Sequence, residues 1–150
     1  MPAVFWPIGG QFGRGSAASS QEEEGGTADE PLSRKTLGVI GEELANQYLR
    51  RRGYQMLFRN YRTTVGEIDL IARDRKTIVF VEVRTRRSDV AGTPAESITY
   101  RKRTQIIRNA KFFLHRYGMD EALCRFDVVT VLFPEKGEPD VQVIQDAFGE

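Results

Sequence analysis

The sequence predicts a mixed α/β domain: a helix, a three-stranded meander, a crossover helix and one or two closing strands. Three observations predict it. Two long amphipathic stretches each end at a glycine, Gly53 and Gly118. Two β-rich runs, Gly66–Ile71 and Val79–Arg84, flank a short charged turn. A further β-rich run, Phe126–Phe133, follows the second helical stretch.

The first helix is expected from about Ser33 or Thr36 to Arg52, with Gly53 as its C-cap. Its apolar stripe is Leu37, Ile40, Leu44, Ala45, Tyr48 and Leu49. Glu42 shares a ridge with Ala45 and Leu49 and is the better candidate to point inward, whereas Glu43 lines up with Gln47 and Arg50. A boundary residue with a solvated carboxylate is the plain alternative for Glu42. Tyr54, Met56 and Phe58 then alternate with polar or outward positions as a first strand.

The next two strands form a hairpin. A turn centred on Arg75 and Lys76 sets Ala72 against Val79, Leu70 against Val81 and Ile68 against Val83, all apolar. The same register sets Asp69 opposite Glu82 and Glu67 opposite Arg84 on the other face. Directly opposed Cβ atoms lie roughly 4.5–5.5 Å apart, so two carboxylates there repel unless a cation separates them. Hard oxygen ligands favour Mg²⁺ or Mn²⁺. The pattern supports an ion pair of Glu67 with Arg84, with the other acids in water, equally well.

Arg84 to Gly92 reads as a basic loop. Thr93, Pro94 and Glu96 make a capping-box start for a helix that runs to Tyr117. Its inward stripe is Ile98, Lys102, Ile106, Ala110, Phe113 and Tyr117. Lys102 either snorkels or reaches across the sheet to the acids, while Arg101 and Arg103 point to either side. After the Phe126–Phe133 strand, Val141, Val143 and Ile144 suggest a short last strand.

Residues 1–33, rich in Gly, Ser and Glu, are expected to form a disordered tail before a domain spanning 34–150. Met1–Ile8 lacks a basic start and a long apolar run, and is read as neither signal peptide nor membrane anchor. Cys124 is the only cysteine, which excludes an intrachain disulfide and fits a reducing, cytoplasmic setting. With one Cys and one His, a structural zinc site is not expected. Net charge is only +1, yet Arg50–Arg116 holds 17 Lys or Arg against six Asp or Glu. Such a basic field suits a polyanion, nucleic acid above all. His115, near a helix end, reads as a surface residue, and Asp127 as a structural partner for an arginine.

The motifs Gly41-Glu42, Gly53-Tyr54, Arg59-Asn60, Gly66-Glu67-Ile68-Asp69-Leu70-Ile71, Val79-Phe80-Val81-Glu82-Val83, Lys102, Arg125-Phe126-Asp127 and Ala147-Phe148 resemble those of a known group. The chain resembles the PD-(D/E)xK nuclease superfamily, whose fold is restriction-endonuclease-like. More closely, it is similar to the YraN-like family of predicted endonucleases related to archaeal Holliday-junction resolvases. The resemblance covers roughly residues 37–148.

It implies a Mg²⁺- or Mn²⁺-dependent endonuclease acting on DNA, including branched DNA, with no membrane partner and with a homodimer by analogy. By position, Glu42, Asp69 and Glu82 would hold the metal. The metal would lower the pKa of a water that attacks phosphorus. The motif lysine is replaced by Arg84, which keeps the charge and grips phosphate but cannot act as a base. Lys102 stands on a neighbouring element to which that lysine relocates within the superfamily. Arg84, Arg86, Arg101 and Arg103 are the expected phosphate contacts. A nucleic-acid-binding module that has lost catalysis through the Arg84 change is the alternative.

Overall fold

A computed structural model describes residues 32–88 and 98–149. Its elements are α1 (Arg34–Arg51), β1 (Gln55–Thr63), β2 (Gly66–Asp74), β3 (Thr77–Arg87), α2 (Tyr100–Arg116), β4 (Cys124–Phe133) and β5 (Asp140–Phe148). They form the expected mixed α/β fold of restriction-endonuclease-like type. The sheet order is β1-β2-β3-β4-β5. All neighbours are antiparallel except β3 and β4, whose parallel pairing requires the α2 crossover.

Each helix covers one face of the sheet. Ala45 and Leu49 of α1 pack with Leu70, Ala72, Val79, Val81, Val129 and Val131. Ile106, Ala110 and Phe113 of α2 pack on the other face with Ile68, Ile71, Phe80, Val128 and Phe148. The central strands are covered on both sides and read as nearly continuous apolar runs. Phe113 anchors the α2 side, edge-on to Phe58, Tyr61 and Phe80 with centroids 5.3–5.8 Å away.

Helix α1 begins where expected. Ser33 caps it, accepting from the Thr36 N–H at 3.1 Å. It ends in a Schellman-type turn: Tyr54 N–H reaches Leu49 O, Gly53 N–H reaches Arg50 O, and Gly53 takes φ 88°. The hairpin turns at Arg75 and Lys76, and Leu70 pairs with Val81 and Ala72 with Val79, as the hydrophobic pattern required.

Several expectations are corrected. Arg84–Arg87 belong to β3 and are not a loop, because they pair in parallel with Thr130–Phe133 of β4. Helix α2 starts at Tyr100, not continuously from Thr93. Thr99 caps it through the Lys102 N–H, and buried Ile98 precedes it in a bend. The proposed cap residues Thr93, Pro94 and Glu96 lie outside the described residues. So does most of the segment read as a tail; only Leu32 and Ser33 of it are described. The last strand is nine residues long, with a register shift near Asp146, which has φ 50°. Among the described residues no helix is long and apolar enough to cross a membrane.

Candidate active site

Strands β1 and β2 both change phase in mid-strand. Leu70 and Ala72 face α1, but Ile68 packs with Ile71 on the α2 side. The expected sharing of one face by Ile68, Leu70 and Ala72 is therefore broken at Asp69. In β1, a bulge between Met56 and Phe58 sends Tyr54 and Met56 to one face and Phe58 to the other. The ladder pairs Arg59 with Leu70 and Tyr61 with Ile68, which sets Asn60 across from Asp69. Asn60 takes φ 49°, a left-handed conformation that asparagine tolerates better than most residues.

The regular β2–β3 ladder ends at Leu70 and Val81. One step beyond it, Asp69 and Glu82 come together, close enough for the charge of Asp69 to act on Glu82. Asp69 Oδ2 also accepts the Val83 N–H at 2.8 Å, so a carboxylate takes the place of a ladder carbonyl. The expected opposition of Glu67 and Arg84 does not form, because β2 and β3 are no longer paired there. Glu67 pairs across β1 with Arg62 at 2.9 Å.

Glu82 is buried, with 4% of its surface exposed. Lys102 Nζ lies 3.5 Å from its Oε2, and Arg84 Nη1 lies 3.7 Å from its Oε1. Lys102 therefore does reach across from α2 to the acidic pair. Burial, and next the charge of Asp69, push the Glu82 carboxyl up to about 7. Burial also raises Asp69, against the Val83 N–H and Lys102, which lower it.

Glu42 reaches the same region from α1 because Gly41 allows a close approach. A Cβ on Gly41 would lie 2.0 Å from Thr85 Oγ1 of β3. With its amide nitrogen turned to the two acids, the orientation that pairs donor with acceptors, Asn60 donates to Glu42 Oε2 at 3.1 Å and Glu67 Oε1 at 2.8 Å. Burial, followed by the charge of Asp69, raises the Glu42 pKa, while the Asn60 hydrogen bond lowers it. Among the described residues no three acidic, His or Cys side chains converge as one ligand set.

Two carboxylates fit a Mg²⁺-type ion, which commonly keeps waters and substrate phosphate as its other ligands. The fit is visible at Glu82 Oε2, which is buried and accepts no hydrogen bond. A carboxyl whose proton is held on by burial and by a neighbouring carboxylate, as at Glu82, is also a charge arrangement that a cation relieves.

Of the expected phosphate contacts, Arg84 and Arg86 alternate with Glu82 along one face of β3. Arg101 is exposed at the start of α2. Arg103 is engaged elsewhere: its Nε donates to Ile98 O at 3.1 Å and its guanidinium lies 5.9 Å from the Phe148 ring. His115 is at the surface beside Asp120. Asp127 is fully buried and accepts from Arg125 Nε at 3.0 and 3.2 Å, a structural pairing as expected. Arg125 also binds Asp74 and the Tyr54 hydroxyl, and it pairs in the ladder with Val79, three residues before Glu82. Asn60 is the member of the site that the sequence reading missed. An asparagine between alternating strand residues was the available signal.

Fold and site together define a restriction-endonuclease-like α/β domain with an acidic pair, Glu82 buried and Asp69 half-buried, at a split between two strands. The chain belongs to the uncharacterised protein family UPF0102, whose model matches residues 41–131. It is 43% identical over 118 residues to a UPF0102 protein of Caldicellulosiruptor saccharolyticus, covering 78% of this chain and all of that one. It is 49% identical over 104 residues to one of Alkaliphilus oremlandii, covering 68% of this chain and 89% of that one. A Geotalea daltonii UPF0102 protein is 43% identical over 114 residues, covering 76% and 90%.

Proposed function

We propose that this protein is a divalent-metal-dependent endonuclease of the PD-(D/E)xK type that hydrolyses phosphodiester bonds in DNA, branched DNA included. The observation that carries the reading is the Asp69–Glu82 pair at a strand split, Glu82 buried and Asp69 half-buried, with a lysine 3.5 Å from the Glu82 carboxylate. Asp69 and Glu82 would hold the ion. Bound there, Mg²⁺ or Mn²⁺ supplies Lewis-acid charge to the phosphate and acidifies water. Lys102 and Arg84 neutralise charge that develops on the phosphate oxygens, Arg84 with a fork suited to two of them. Glu42 adds negative potential that draws the cation in, and Asn60 keeps its carboxylate turned toward Asp69. A cytoplasmic homodimer that cuts both strands of a junction completes the reading by analogy.

Lys102 favours an active enzyme over the inactive binding module, because a primary amine stands beside the acids although Arg84 occupies the motif position. The test is cleavage of labelled single-stranded, duplex, flap and four-way-junction DNA with Mg²⁺, Mn²⁺ or chelator. Wild type is expected to cut with metal alone, and Asp69→Ala and Glu82→Ala to lose cutting. Binding without cutting would establish the inactive module instead.

A further inference from the structure

The outer side of α2 carries a second feature, apart from the acidic pair. In its 17 residues α2 has six Lys or Arg and no Asp or Glu. Two cavities flank the β1–β2 turn where that turn leans on the helix. One, of about 450 Å³, is lined by Tyr100, Arg101, Arg108 and Val65 among others. The second, of about 470 Å³, is lined by Phe112, Arg62, Arg116 and Thr64 among others. Each cavity thus combines two arginines with one well-exposed aromatic ring, Tyr100 in the first and Phe112 in the second, where the half-buried Tyr61 and Tyr117 also line the wall. Tyr100 is 85% exposed and Phe112 55%, unusual for large rings with no packing role. Neither lining includes an acid among the described residues.

The ridge between the cavities is anchored. Gln105 Nε2 donates to Val65 O at 2.7 Å, and Thr63 Oγ1 donates to the buried Asn109 Oδ1. A Cβ on Gly66 would lie 2.2 Å from Gln105 Nε2, so this turn is seated closely on the helix.

We propose that this face binds an unpaired strand of nucleic acid, with bases stacked on Tyr100 and Phe112 and phosphates held by the flanking arginines. Duplex offers few free base faces, so exposed rings would add little to its binding. A single strand uses rings and positive charge together, one exposed ring at each cavity. The charge excludes a cationic partner, and the rings distinguish this face from a plain phosphate track. This inference rests on the nucleic-acid part of the function proposed above and not on cleavage.

The test is fluorescence anisotropy with labelled oligothymidylate and a matched duplex, in chelator, so that cleavage plays no part. Wild type and Asp69→Ala are expected to prefer the single strand. Tyr100→Ala and Phe112→Ala are each expected to weaken single-strand binding about fivefold or more, the low end for base stacking on a ring, and duplex binding little. Arg108→Gln should weaken both and flatten the salt dependence. Unchanged thermal melting of these exposed-site variants excludes misfolding. Equal binding of single strand and duplex, no loss from either ring variant, or equal competition by polyglutamate would overturn the proposal. Failure of cleavage with this pattern intact would overturn only the nuclease reading.

Discussion

Replacing Glu82 by glutamine should stabilise the metal-free protein at neutral pH and above, even though it removes a group placed in the active site. In the folded state the Glu82 carboxyl is raised from 4.5 to about 7, by burial first and by Asp69 second. The folded protein therefore holds this proton more tightly than the unfolded chain. Stability from this group is fully present below about pH 4.5 and is lost as pH rises through about 7. At about 1.4 kcal/mol per pH unit, the loss at neutral pH and above is about 3 kcal/mol. Asp69 is raised as well and acts in the same direction, and the two titrate as a pair. Glutamine keeps the shape and never charges. Urea unfolding in chelator, with wild type and Glu82→Gln compared from pH 4.5 to about 8, isolates the pair, because the carboxylates outside it cancel in the difference. The variant should gain about 3 kcal/mol at the alkaline end and nothing near pH 4.5. A difference that stays flat with pH, or a variant no more stable than wild type at about pH 8, refutes the argument from the buried Glu82 carboxyl. Added Mg²⁺ should narrow the gap by stabilising wild type alone.

Gly41→Ala should push α1 away from Thr85 and cost about 1–3 kcal/mol, seen as a lower thermal midpoint and weaker Mg²⁺ binding, because Glu42 moves with the helix. Asn60→Gly should keep the strand intact and lose the bridge between Glu42 and Glu67. Asn60→Ala should be about 1 kcal/mol less stable than Asn60→Gly in denaturant titration, because alanine must also adopt the left-handed backbone. Arg125→Ala leaves fully buried Asp127 without its guanidinium and should cost about 3–5 kcal/mol by urea unfolding, whereas cleavage chemistry in the surviving folded fraction stays the same. Lys102→Met should lower kcat more than it raises KM in the cleavage assay, while Arg84→Lys retains activity.

Much of this architecture was legible in the chain itself. The helix-period stripe of Leu37, Ala45 and Leu49, the period-2 pairs Leu70–Val81 and Ala72–Val79, and the caps at Ser33 and Gly53 are local patterns. Each is set by the geometry of one element or of two strands joined by a tight turn. The need of isolated acids among aliphatics for a partner was legible for the same reason: a strand interior tolerates Asp69 and Glu82 only with one. The meeting of groups from distant elements was decided by tertiary structure. The parallel ladder that turns Arg84–Arg87 from loop into strand depends on β4, more than forty residues away along the chain. The phase change at Asn60 and Asp69 depends on two strands yielding together, and no single-strand period encodes it. Lys102 could snorkel or reach inward by its sequence position alone; the packing of α2 over β2 and β3 brings its amine to Glu82. Local periodicity determines which elements form, while the contacts that define the site depend on how those elements pack across long sequence separations.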